Sequence, residues 1–127
     1  MTVGRALVTG AGKRLGREMA LGLARLGYDV AVHHNSSAQD AEAVVQEIRD
    51  LGQKAAPVQA DFMSEADTQA LIAASADALG GALSVLINNA SIFEYDNVRT
   101  ATRETWDRHV EPNLRAPFVL TQNFAAI

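Results

Sequence analysis

"TGAGKRLGRE", Thr9 to Glu18, follows a short apolar run and precedes an amphipathic one. Its glycines mark a turn in which backbone comes close to a neighbour, and the centre of that turn carries two cations, Lys13 and Arg14. A glycine turn between a strand and a helix leaves the first-turn amides unpaired at the positive end of the helix dipole, where they bind phosphate. In that setting Gly10 and Gly12 let backbone approach a pyrophosphate, and Gly16 lets the helix pack close against the sheet. The competing reading is a tight turn that holds no ligand.

Outward from this stretch, apolar runs and helical periodicity alternate along the whole chain. "RALVT" (Arg5–Thr9) is a first buried strand, and Leu15, Met19, Leu23 and Leu26 recur at helical spacing before Gly27 supplies a left-handed stop. "DVAVHH" is a second strand. Ser37 and Asp40 give a Ser-x-x-Asp start, Ala41, Val44, Ile48 and Leu51 make a stripe, and Gly52 ends the helix. "KAAPVQA" is a third strand containing Pro57, which cannot donate to a sheet ladder and so places that strand at an edge. Ser64 and Asp67 open a third helix with Leu71, Ile72, Ser75 and Leu79 on its inner face before Gly80-Gly81. "SVLINN" is a fourth strand, and "TRETWDRHVEPNLRAPFVLTQNFAAI" a last helix. Such alternation builds a parallel sheet through right-handed crossovers. The expected fold is α/β, a Rossmann-type doubly wound sheet of order 3-2-1-4, in which the strand carrying Pro57 is the edge.

The bulk numbers fit one domain spanning residues 1–127. Apolar runs fall short of the ~18 residues of a membrane span, and no signal-peptide pattern opens the chain. The net charge of −4 speaks against a nucleic-acid surface. Cysteine is absent, which removes disulfides, thiolate metal sites and thiol catalysis. His33, His34 and His109 do not have metal-ligand spacing, so no metal site is expected. A cytoplasmic domain without membrane or nucleic-acid partners is the expectation.

The cations of the turn acquire a purpose at the end of the second strand. A dinucleotide without a 2′-phosphate needs an acid there to accept from the ribose hydroxyl, whereas one with it needs cations. That strand runs into "HHNSSAQ", with no acid between Asp29 and Asp40. His34, Asn35, Ser36 and Ser37 suit a phosphate, and together with Lys13 and Arg14 they point to NADP(H).

At this point the residues resemble the short-chain dehydrogenase/reductase family. Thr9, Gly10 and Gly16 match its Thr-Gly-x-x-x-Gly-x-Gly loop, while Arg14 stands in place of the middle glycine. Asn88-Asn89-Ala90 matches its second landmark, Asp61-Phe62 its adenine-contacting pair, and Asn113 its structural and catalytic asparagine. Within the family the motifs are most similar to pteridine reductases, through Lys-Arg-x-Gly, the histidine-rich strand end and Asn-Asn-Ala-Ser. The resemblance implies a cofactor site built on Gly10, Lys13, Arg14, Leu15, Gly16, His34, Asn35, Ser36, Ser37, Asp61, Phe62, Asn89, Ala90 and Ser91. It further implies a small-molecule substrate, a pteridine or another carbonyl-type compound, touched by Arg14 and Ser91, with Phe93 stacked on its ring.

Asn113 also follows from spacing. Trp106, Val110, Asn113 and Pro117 recur on one helical face, so the asparagine is expected to look inward. Pro117 has no N–H, so the Asn113 carbonyl loses its helical partner and a buried water is its expected replacement. In the family that water belongs to a proton relay, which makes Asn113 the catalytic candidate.

The family's proton donor, a tyrosine followed four residues on by lysine, has no match. Tyr28 has Val32 at that spacing and Tyr95 has Arg99. The resemblance therefore covers an amino-terminal half, with the sheet truncated before a fifth strand. Two readings stand: the cofactor-binding half of an NADP(H)-dependent reductase, or a catalytically inactive nucleotide-binding remnant or fragment. A raw fourth-strand edge and a last helix rich in Phe118, Val119, Leu120, Phe124 and Ile127 lead to the expectation of a homo-oligomer.

Overall fold

Ala6, Leu7 and Val8 are wholly buried at the centre of the sheet, because β1 (Gly4–Val8) has a strand on each side. The computed structural model describes residues 2–127. It contains β1, α1 (Arg14–Arg25), β2 (Tyr28–His34), α2 (Ala38–Asp50), β3 (Ala55–Gln59), α3 (Glu65–Leu79), β4 (Val85–Ile87), α4 (Arg103–Val110), a π-helical turn (Glu111–Arg115) and α5 (Ala116–Ala125). All pairings are parallel and the order is β3-β2-β1-β4. Pro57 lies on the edge strand opposite Val32, where its missing N–H costs the ladder nothing on the open side.

Strand alternation divides the core into two layers. Val8, Val30 and Val32 face Ala20, Leu21 and Ala24 of α1 and Val44, Val45 and Ile48 of α2. Leu7 and Ala31 face Leu71, Ile72 and Leu79 of α3 and Ala116 and Leu120 of α5. Each layer buries aliphatic side chains worth about 1.5–3 kcal/mol apiece relative to exposure.

Several local expectations are corrected. Leu15 is 69% and Leu26 71% exposed; α1 instead turns Gly16, Ala20, Leu21 and Ala24 inward, with small residues at i, i+4 and i+8 where the helix comes closest to its neighbours. The Ser37 hydroxyl makes no capping bond, and Leu51 is exposed. Ser64 does cap α3, accepting from the Asp67 N–H at 3.2 Å. β4 is only three residues long.

The long last helix exists but is not uniform. Thr102 and Thr105 form a reciprocal capping box at its start. In the π-helical turn the Ala116 N–H reaches back to the Glu111 carbonyl. Pro112 within that turn and Pro117 just after it lack N–H groups, so the ordinary ladder is interrupted at both and an extra residue is accommodated there.

Candidate functional site

The carboxyl ends of the strands border a cleft of about 620 Å³, the position at which open α/β sheets bind ligands. Its first wall is the loop leading into α1. Gly10 has φ +60° and Arg14 φ +54°, so an arginine holds the left-handed conformation that glycine adopts freely, at a cost of roughly 1 kcal/mol. α1 has neither a capping side chain nor an acid in its first turn, unlike α3, which carries Ser64, Glu65 and Asp67 there. Its amino-terminal dipole is left open toward the cleft. Arg14 pairs with no carboxylate among the described residues, whereas Lys13 reaches Asp40 at 3.3 Å.

Thr9 and Asn89 fasten this loop to the end of β4. The Thr9 hydroxyl oxygen accepts from the N–H groups of Asn89 and Ala90, each at 2.9 Å. The Asn89 side-chain amide donates to the carbonyls of Thr9 at 3.1 Å and Gly10 at 3.2 Å. A β-carbon on Gly16 would overlap the Gly10 carbonyl and stand 2.5 Å from Asn89 Nδ2. The close approach foreseen for Gly16 is thus to the loop and Asn89, with Ala20 and Ala24 continuing the seam.

The opposite wall rests on His33, which the sequence reading passed over. It is 2% exposed. Its Nδ1 accepts from the Gly10 N–H at 2.9 Å and its Nε2–H donates to the Ala60 carbonyl at 2.9 Å. Its ring stacks on Phe62, centroids 4.5 Å apart and 18° from parallel. Burial lowers its pKa to about 4 against the raising effect of the Ala60 bond, with His34 a smaller lowering influence, so the ring is neutral at pH 7. Asp61 is held by its own turn, its Oδ1 accepting from the Met63 N–H and its N–H donating to Asp67 Oδ2, both 2.9 Å.

Among the residues expected from sequence, Gly10, Lys13, Arg14, Leu15, Asn35, Asp61, Phe62, Asn89, Ala90 and Ser91 line the cleft. Gly16, His34, Ser36, Ser37, Phe93 and Asn113 do not. Alternation explains the exchange of histidines: Val30 and Val32 face one layer, Ala31 the other, so His33 rather than His34 turns to the cleft. That signal was present in "DVAVHH".

Asn113 corrects the expectation of an inward residue, for it is exposed. Its Oδ1 accepts from the Ile92 N–H at 2.8 Å and its Nδ2 donates to the Ile92 carbonyl at 2.7 Å. It grips the cleft-lining loop from outside, because the π turn changes which face it occupies. Phe93 is 85% exposed and lies edge-on to His109 at 6.5 Å. The following loop is tied to α4: His109 Nε2 accepts from the Glu94 N–H at 3.0 Å, and Arg108 pairs with Glu94 at 3.0 Å and Glu104 at 2.8 Å. Among the described residues no helix is long and apolar enough to cross a membrane.

Comparison with known proteins bears on this geometry. A family model described as short chain dehydrogenase matches residues 4–127. A hydroxyacyl-CoA dehydrogenase of Mycobacterium tuberculosis is 45% identical over 125 residues, 95% of this chain and 39% of its own length. A crystal structure of FolM alternative dihydrofolate reductase 1 from Brucella canis, complexed with NADP, superimposes with a TM-score of 0.91 at 35% identity, over 98% of this chain and 50% of that one. A short chain dehydrogenase from Burkholderia cenocepacia, also in complex with NADP, gives 0.92 at 37% identity, over 98% and 51%. The chain thus spans about half the length of these proteins or less, from 39% to 51%.

Proposed function

The chain belongs to the short-chain dehydrogenase family, and on that premise we propose that residues 1–127 are the nucleotide-holding portion of an NADP(H)-dependent reductase, a Rossmann-type domain in which catalysis needs partners from elsewhere. The observation that carries this is the uncapped start of α1, with Arg14 beside it pairing with no carboxylate among the described residues. An open helix terminus and a free guanidinium are a donor set for phosphate. The likeness to two NADP-bound structures supports the same cofactor.

The residues fit such a group. The absence of a side chain at Gly16 keeps the loop against Asn89, and Phe62 offers an apolar wall for an adenine. In this reading Arg14, Lys13 and the amides of the loop hold phosphates, with Asn35, which lines the cleft at the end of β2, beside the 2′-phosphate. Asp61 and Phe62 border the base, and Asn89, Ala90 and Ser91 the far ribose. The cofactor, when bound, supplies the hydride. The chain's own part is to orient it: Asn113 fixes the cleft-lining Ile92 segment through both polar atoms of its side chain. Arg14, Ser91 and Phe93 meet the substrate.

That substrate is a pteridine or a carbonyl compound. The dihydrofolate reductase from Brucella favours the first, the hydroxyacyl-CoA dehydrogenase the second. No tyrosine in the chain has lysine four residues on, so the 127-residue chain by itself is expected not to oxidise NADPH, with or without Tyr95→Phe. Phe118 on the last helix and Ile127 beyond its end are exposed, and β4 has β1 as its only strand neighbour among the described residues. A cytoplasmic homo-oligomer is the corresponding proposal, which equilibrium sedimentation checks; a clean monomer would remove it.

Fluorescence titration tests the cofactor. NADPH is expected to bind more tightly than NADH, and Arg14→Ala to erode the difference. Equal affinities in the unmutated chain would refute the proposal.

A further inference from the structure

We infer that His33 is a positioning residue: it sets the distance between the glycine loop and the end of β3, and through that distance the affinity of the cleft for a nucleotide. The inference rests on the cleft taking a nucleotide. One ring touches both lips of the cleft, through the Gly10 N–H on one side and the Ala60 carbonyl and Phe62 ring on the other. Gly10, Ala60 and Phe62 all line the cleft.

The arrangement is exacting. The ring must accept at Nδ1, donate at Nε2 and present a π-face, and only the neutral Nε2–H imidazole does all three. The Gly10 amide would otherwise be free to point elsewhere, because its φ of +60° is set in a loop rather than a ladder. Ala11 is anchored to the same residue, its N–H donating to the His33 carbonyl at 3.0 Å. Two successive loop amides therefore take their direction from His33. The loop that must meet phosphates is aimed by the strand beneath it.

The test compares His33→Asn, which keeps an acceptor near the Nδ1 position, with His33→Gln, which keeps a donor near Nε2, and His33→Leu, which keeps neither. Dissociation constants for NADPH and for 2′,5′-ADP are measured where circular dichroism shows each variant folded. The Gly10 amide and the His33 ring nitrogens are followed by 1H–15N NMR. The wild-type ring is expected as the Nε2–H tautomer, His33→Leu to weaken both ligands about tenfold or more, and His33→Asn to retain affinity and the Gly10 amide shift better than His33→Gln. If His33→Leu does not fold, the Asn and Gln variants and the wild-type tautomer decide. Equal affinities across the folded variants, or an Nδ1–H ring, would overturn the role of His33 and leave the nucleotide reading standing. Wild-type chain that binds neither ligand would overturn that reading, and this inference with it.

Discussion

Lys13 Nζ stands 3.3 Å from Asp40 Oδ2, so one of the two loop cations is partly neutralised by the first turn of α2. Both partners are substantially exposed, and such a pair contributes little to stability. Its effect is on the field at the cleft. Asp40→Asn is expected to raise NADPH affinity about two- to fivefold, with a smaller change for NADH, and the gain should shrink as salt screens the loop. Titrations at low and high ionic strength check this; an unchanged ratio of the two affinities at low salt would contradict it.

Arg14 offers opposite signs for stability and affinity. Its left-handed backbone is relieved by glycine, so Arg14→Gly is expected to stabilise the fold by up to about 1 kcal/mol while weakening NADPH. Arg14→Ala keeps the strain and loses the guanidinium. Urea denaturation beside titration separates the two effects. An Arg14→Gly protein no more stable than Arg14→Ala, neither of which carries the guanidinium, would show that the left-handed backbone stores no appreciable strain.

Gly16→Ala is expected to cost at least about 2 kcal/mol, because the added methyl must displace backbone rather than a side-chain end. The Thr9–Asn89 bonds should loosen with it, visible as exchange broadening of the Asn89 and Ala90 amides. Gly22→Ala, where an added methyl meets nothing within 4 Å, is the control, and its expected effect is a slight stabilisation through helix propensity.

The buried His33 makes stability depend on acidity in a defined direction. Its folded pKa of about 4 lies below the ordinary histidine value of 6.5, so the unfolded chain binds more protons between those values. The stability is fully present above pH 6.5 and is lost as pH falls toward 4, up to about 3 kcal/mol. His33→Asn should flatten that part of the profile, leaving only the carboxylate contribution. Urea midpoints at pH 7, 5.5 and 4.5 measure it; parallel profiles for the two proteins would refute it.

The layered sheet was legible because strand alternation, glycine stops and Pro57 each constrain one element independently. Less legible was whatever depends on how closely elements approach. Leu15 and Leu26 satisfy helical spacing, yet the inward seam belongs to Gly16, Ala20 and Ala24, because apolar periodicity does not encode interaxial distance. His34 was favoured over His33 through its place beside polar neighbours, although the period of two assigns the inward direction to the partner of Ala31. Asn113 was placed inward by counting 3.6 residues per turn across a segment that does not keep that count. Phe93 carries a ring but no signal of its direction, since loops lack a period.

The π-helical turn between Glu111 and Arg115 amounts to an inserted residue, and an inserted residue advances the angular phase of everything after it by about 100°. α4 turns Arg108 and His109 toward the Glu94 segment, while α5 sends Val119 and Leu120 into the core. An unbroken α-helix with the same residues would present the two groups at angles that do not serve both neighbours. One rod thus serves two clients by changing phase between them, and Asn113 sits where the phase slips. Deleting a single residue there would be more disruptive than replacing any one of them, since it would rotate α5 as a unit against α3 and the sheet.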